Sequence, residues 1–166
     1  DGSKCLVRDL CLNLDGIEPL LMSTPAGAPE LAGRAQLHSV YRSSGEFAPA
    51  MGQNLRALSW LLTSPIVDIW HSIFAPNPRA SRALGLLAAL RKVRVCQTIA
   101  SPPRSFEQPN HLLFGDIVVA QSAWTREQFQ KSYADQGLSP PKILEIPPPC
   151  PRVSTPPQYT VDNIRD

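Results

Sequence analysis

The chain predicts an α/β fold, a Rossmann-like doubly wound parallel sheet, on two grounds. Short apolar runs stand at Ile66-Val67-Asp68-Ile69-Trp70-His71, Val93-Arg94-Val95-Cys96-Gln97-Thr98, Asp116-Ile117-Val118-Val119-Ala120 and Lys142-Ile143-Leu144-Glu145-Ile146, each followed by a polar or proline-rich loop. Most of these runs are separated by segments of helical periodicity, and strand, loop, helix, strand in repetition is the pattern of a parallel sheet covered by helices. Such sheets collect ligand-binding groups in the loops at the carboxyl ends of their strands.

The elements follow in order. Ser3 to Leu14 carries Leu6, Val7, Leu10, Cys11 and Leu14 at amphipathic-helix spacing, with Ser3 as cap and Asp15-Gly16 as stop. Ile17 to Met22 reads as a short strand, Thr24 to Ala35 as a loop, and Gln36 to Tyr41 as an edge strand. After a loop at Ser43–Pro49, Met51 to Leu62 places Leu55, Leu58, Leu61 and Leu62 on one helical face. The strand Ile66–His71 then leads through Ser72–Asn77 into a helix capped by Asn77 with Pro78 at its first position, burying Leu84, Leu87 and Leu90. Strand Val93–Thr98, a turn near His111, strand Asp116–Ala120, a helix capped by Ser122 with Trp124, Phe129 and Tyr133 inward, and strand Lys142–Ile146 complete the order. A doubly wound sheet normally has a strand ahead of its first helix, at the sheet centre. No such run precedes Ser3, so either the first strand is missing from this sequence or the topology differs.

A length of 166 residues suits one α/β domain rather than two. Residues 1–149 are read as that domain and 150–166 as a proline-rich linker toward an absent carboxyl-terminal domain, since Pro147-Pro148-Pro149-Cys150-Pro151 and Pro156-Pro157 can continue neither helix nor sheet interior. A net charge of +2, with basic residues scattered except at Arg91, Lys92 and Arg94, gives no support to nucleic-acid binding. Those clustered cations are expected to complement a helix carboxyl end; contact with a membrane periphery stays open. No apolar run is long enough to span a bilayer, and the amino terminus shows no basic-then-apolar secretory pattern, which leaves open a leader carried further upstream. Cys5, Cys11, Cys96 and Cys150 fit no metal-binding spacing and are read as reduced and structural, which fits a cytoplasmic location.

Candidate chemistry lies in the loops after the strands. His71, at a predicted strand end, can orient a hydroxyl or touch a phosphate; a strand-end histidine bonded to backbone is the plainer alternative. Asn77-Pro78-Arg79 opens a helix whose amide groups and dipole attract anions, as every helix start does to some degree. Gln97, Thr98, Ser101, Arg104 and Ser105 offer the amide, hydroxyl and guanidinium groups that suit a sugar or phosphate and equally suit a solvated loop. The chain has no GxGxxG, no P-loop, no GxSxG elbow and no HExxH helix, and His38, His71 and His111 are too dispersed to propose a metal site. A scaffold with polar loops and no self-sufficient catalytic set suggests half of a site.

The order DIWHSIFAPNP, VCQTIASPP, FGDIVVAQSAWTREQF, KILEIPPP resembles the amino-terminal domain of retaining glycosyltransferases with two Rossmann domains, the GT-B group 1 enzymes. In that family a strand with Asp-x-x-His is followed by one with a polar end, by Asp-x-Val-x-Ala-x-Ser leading into a helix, and by a strand ending Ile-Pro. The resemblance covers Asp68 to Pro149 most closely, and Gly2-Ser3 with the following helix is similar to the family's glycine turn and first helix. It implies a nucleotide-sugar-dependent transferase whose site lies between two domains, with this one binding the acceptor. His71 then matches the histidine near the reacting sugar, Gly2 and Ser3 the turn approaching donor phosphates, and Thr98 and Ser101 the acceptor-side loop; Ser122 matches a serine that is most often a helix cap. No cofactor is implied beyond the nucleotide sugar as substrate. The chain departs from the pattern in lacking the first strand and the donor-binding domain, and in carrying Pro148-Pro149 where Asn-Gly is common, so the isolated chain is expected to be inactive. A nucleotide-sugar epimerase half and a non-catalytic α/β module binding a ligand or partner are the alternatives. Paired acids at Glu-x(7)-Glu spacing downstream would favour the transferase. Acceptor, sugar, nucleotide and oligomeric state are not legible.

Overall fold

The computed structural model describes residues 2–24, 28–42 and 50–148; the loop read at Ser43–Pro49, Cys150 and the linker at 150–166 lie outside the described residues. The elements are α1 (Gly2–Asn13), β1 (Leu20–Ser23), β2 (Gln36–Ser39), α2 (Met51–Thr63), β3 (Ile69–Phe74), α3 (Pro78–Arg91), β4 (Arg94–Ile99), β5 (Ile117–Ala120), α4 (Ala123–Asp135) and β6 (Ile143–Glu145), with short 3-10 turns at Pro29–Leu31 and Pro109–His111. Strands β3, β4, β5 and β6 form one sheet in that order, every neighbouring pair parallel, while β1 and β2 form a separate parallel pair. The chain therefore has the Rossmann-like α/β architecture that its sequence predicts. No described helix is long and apolar enough to cross a membrane.

One face of the larger sheet carries the core. Trp70 and Val95 pack with Leu61 of α2 and Ala88 of α3, and Met22 of β1 packs against the same cluster. Next to it, Ile99 and Val118 meet Phe129 and Tyr133 of α4 together with Leu112 and Leu113. Phe129 is fully buried, which for a side chain of this size stabilises the fold by roughly 1.5–3 kcal/mol. In α4 the inward stripe is Thr125, Phe129 and Tyr133, at helical spacing. Trp124, expected inward, is 54% exposed, because it stands five residues from Phe129 and so points well round the helix from that stripe.

Helix ends follow their sequence signals. Asn77 Oδ1 accepts from the Ala80 amide at 2.9 Å and Ser122 Oγ from the Thr125 amide at 3.2 Å. At the end of α4 the Gly137 amide donates to the Ala134 carbonyl and Leu138 to Tyr133, with Gly137 at φ 64, the Schellman pattern. Helix α3 ends in the same pattern through Lys92 and Val93, but here a lysine occupies the left-handed position at φ 53. Arg91 does not cap its own helix. Its guanidinium donates to the carbonyls of Leu62, Ser64 and Pro65 at 2.9, 2.6 and 3.2 Å, satisfying the carboxyl end of α2.

That tether also corrects the start of β3. With residues 62–65 held against α3, the chain uses Ile66 to Asp68 to reach the sheet, and pairing begins only at Ile69, opposite Arg94. Ile66 is accordingly 94% exposed. The strand continues through Ser72 to Phe74, so His71 is a mid-strand residue rather than a strand end. Leu55, Leu62 and Leu90, read as core, are exposed, while α3 lays Ser81 and Ala88 inward with Leu84 and Leu87 packed against the Trp70 cluster, as expected.

The connection from β4 to β5 holds no full helix, only the turn Pro109–His111. Gln97 compensates. Its amide nitrogen donates to the Leu112 carbonyl at 2.9 Å and its oxygen accepts from the amides of Phe114 and Gly115 at 2.9 and 3.2 Å. Ser81 Oγ donates to the same Leu112 carbonyl at 2.8 Å, using its second lone pair. Asp116 Oδ2 accepts from the Val95 amide at 2.7 Å, closing the amino end of the β4–β5 ladder.

Two substitutions test these devices. A Cβ at Gly115 would lie 2.8 Å from both Gln97 Cβ and the Ile117 carbonyl oxygen, so Gly115→Ala should destabilise the fold by about 2 kcal/mol in urea titration. Lys92→Gly should act in the other direction: relief of the left-handed strain exceeds the added freedom of the unfolded chain, for a gain of about 0.5–1 kcal/mol.

Candidate functional site

Because every strand of the larger sheet is parallel, all carboxyl ends reach one rim. Phe74, Ile99, Ala120 and Glu145 lie side by side across it. The starts of α3 and α4 and the loop from Ala100 to Gln108 stand on that rim. Asn77 and Arg79, and Ser101 and Arg104, are exposed there on adjoining connections. Trp124 joins them at the opening of α4. Its indole meets Phe106 edge-on at 5.9 Å, and Phe106 meets buried Phe129 at 4.8 Å, so the exposed ring is braced from the core. At the far side Arg126 Nη1 pairs with Glu145 Oε2 at 3.0 Å. In sequence Trp124 looks like part of the helix's inward face and not like a site residue; a stripe stepped by four from Thr125 leaves it outside.

His71 lies deeper. It pairs with Cys96 and is level with Ile117, the first residue of β5, so it sits about 10 Å of strand behind the rim. Its imidazole leans toward the rim along the sheet face opposite the core. There Nε2 and Thr98 Oγ1 share a 2.8 Å hydrogen bond whose direction follows the ring tautomer. Thr98 is 3% exposed, whereas His71 keeps one side open. Partial burial holds the imidazole's pKa below its ordinary value and pushes the neighbouring Cys96 thiol up. Both shifts favour neutral forms, opposite to what a thiolate–imidazolium nucleophile needs. The arrangement suits hydrogen bonding to a hydroxyl-rich ligand, or a general base acting near neutral pH.

Of the residues read from sequence, His71 and Thr98 are brought into direct contact, and Asn77, Arg79, Ser101 and Arg104 stand on the rim ahead of them. Asn77's side-chain oxygen is occupied as the α3 cap. Gly2 opens α1 and half-buried Ser3 follows it. Gln97 is a correction: it points to the core face, is fully buried, and its amide is committed to the backbone of Leu112, Phe114 and Gly115. A polar residue near a strand end looks like a ligand contact in sequence, yet here it replaces the missing crossover helix. Among the described residues no cluster of His, Cys, Asp or Glu could hold a metal ion. Two surface hollows of about 170 and 360 Å³ are lined by none of the predicted site residues. Compared with protein-family models, curated proteins and solved structures, the chain matches none.

The His71 shift has a signed consequence. The unfolded chain takes up a proton near pH about 6.5, before the folded chain does, so stability present above that pH is lost as pH falls through the folded value. His71→Gln keeps a group able to bond Thr98 but does not titrate. The fall in urea midpoint between pH 7.5 and 5 should therefore be smaller in His71→Gln than in the unsubstituted chain; equal falls would assign the acid sensitivity elsewhere.

Proposed function

We propose that this chain is the acceptor-side domain of a sugar-transferring enzyme of the retaining GT-B type, in which a nucleotide sugar is held by a second domain facing this rim. The observation that carries the proposal is the make-up of the rim: exposed guanidinium and hydroxyl groups of Arg79, Arg104 and Ser101 on the same sheet edge as an exposed, core-braced indole at Trp124. Sugars present a hydroxyl edge and an apolar face, and a combination of hydrogen-bond donors with an aromatic plane is the chemistry that grips both. The His71–Thr98 pair sits behind that surface, on the sheet face opposite the main core.

In this proposal the roles divide. Trp124 supports a sugar ring of the acceptor, Arg79 and Ser101 hold hydroxyl or phosphate oxygens, and Arg104 adds charge complementarity to an anionic acceptor. His71 lines the approach to the reacting sugar, held by Thr98. The rim is an open surface, as one wall of an interdomain cleft would be. Stabilisation of the leaving nucleotide would come from the opposite wall, and without it most of the electrostatic contribution to transfer is absent.

Saturation-transfer NMR of the chain against a panel of oligosaccharides and nucleotide sugars tests the proposal. Binding is expected to an oligosaccharide in preference to any nucleotide sugar. Trp124→Ala should weaken it about tenfold, the equivalent of about 1.4 kcal/mol of ring contact. No nucleoside diphosphate should be released when donor and acceptor are supplied together. Preference for a nucleotide sugar, or binding indifferent to Trp124 and Arg79, would defeat the assignment.

A further inference from the structure

Among the described residues the two sheets leave four strand edges unpaired, and two of them, those of β1 and β3, are held by common elements. In β1 the carbonyls of Pro19 and Ser23 accept from Gln36, Val40 and Tyr41, so residues 19, 21 and 23 direct their peptide groups toward β2. Leu20 and Met22, alternating with them, direct theirs away from it. In β3 the Phe74 carbonyl accepts from the Ala100 amide, which by the same alternation turns Trp70, Ser72 and Phe74 toward β4 and leaves Ile69, His71 and Ile73 facing outward. Among the described residues no backbone hydrogen bond joins β1 to β3.

The surrounding elements hold these edges beside one another. Helix α2 supports both sheets: Trp60 packs on His38 of β2 at 5.1 Å, Arg56 donates to the Ser39 carbonyl, and Leu61 is buried against Trp70 of β3. Met22 of β1 packs against that same cluster. Helix α1 also straddles the divide, touching β3 on one side and the turn Pro29–Leu31 on the other. Two half-sheets bound to common helices, each with an open row of peptide groups, frame a slot for one strand.

We propose that this slot is the seat of a single β-strand, parallel to β1 and β3, that enters α1 from its amino-terminal side. The occupant pairs with Leu20 and Met22 on one side and with Ile69, His71 and Ile73 on the other, joining the half-sheets into one continuous sheet. In a strand, helix, strand unit the helix packs across the sheet beside the parallel strands it connects; α1 leads into β1 and touches β3 on the far side of the slot. The carboxyl-terminal segment does not suit the slot. Its prolines at 147, 148, 149, 151, 156 and 157 lack the amide protons that a strand paired on both edges must supply.

The test adds a strand to the whole chain and reads individual amides. A six-residue run of valine and isoleucine, placed ahead of Asp1, is compared with the same run carrying two prolines. The amides of Met22, His71 and Ile73 should exchange at least tenfold more slowly in the valine–isoleucine version, while those of Trp70 and Ser72, already paired with β4, change little. The proline version should leave all five unchanged. If the fusion fails to fold, the same run is supplied as a free capped peptide and the same amides are followed. Slowing at β3 alone would overturn the proposal, because the added strand would then be extending one edge rather than bridging two. So would no slowing at any of the three outward amides, or a dimer in sedimentation that protects them in the unextended chain. None of these readouts depends on sugar binding, so failure here is distinguishable from failure of the proposed function.

Discussion

The Gln97 side chain is the constraint on which the described architecture turns. Parallel strands need a crossover, and between β4 and β5 the chain supplies a 3-10 turn and a loop where a helix would otherwise cover the sheet. A loop lying over a core exposes peptide groups to an apolar environment, at a cost of about 1–3 kcal/mol for each one left unpaired. Gln97 satisfies three of them at once, and Ser81 adds a bond to the carbonyl that Gln97 already engages. The loop so held delivers Leu112 and Leu113 into the core beside Ile99 and Phe129. Gly115 is the steric counterpart, since any side chain there would collide with Gln97. One amide thus replaces the covering function of a helix and sets where β5 enters the sheet.

How much of this was legible in sequence varies with the kind of signal. Local signals were read correctly: Asn77-Pro78 and Ser122 open their helices, Gly137 closes one, and the four apolar runs are strands in a parallel sheet. Signals that depend on a partner far along the chain were not. Ile66 and Val67 look like strand residues by composition, but Arg91 pins the preceding carbonyls and pushes the start of pairing to Ile69. Gln97 looks like a ligand contact because polarity is visible in sequence and its three backbone partners are not. Trp124 shows a third kind of failure, in which the period was right and its phase was set by the largest residue instead of the buried one.

The same distinction applies to the candidate site. Its composition, a histidine, hydroxyls, arginines and a helix start, was available from sequence, and parallel topology puts their connections on one side of the sheet. Their depth was not available. His71 stands behind the rim, and what links it to the surface is its lean toward Thr98 along the face away from the core. Hydroxyl and imidazole are held together by strand register, without any contribution from a loop. That gives the pair a rigidity which the rim residues, carried on connections, do not share.

This rigidity depends on the edge of β3. The His71 side chain lies on the face opposite the main core, while its peptide group points out of the sheet at the edge that β4 does not cover. A strand bonded on only one side is free to twist and fray more than one held on both, and each degree of twist moves the imidazole relative to Thr98 on β4. Pairing of that outer edge would fix β3 at Ile69, His71 and Ile73, the very residues whose side chains lie on the His71 face. The geometry of the candidate site and the completion of the sheet are therefore one physical problem: the groups that would meet a ligand are positioned by a strand whose outer hydrogen bonds decide how firmly it stays in place.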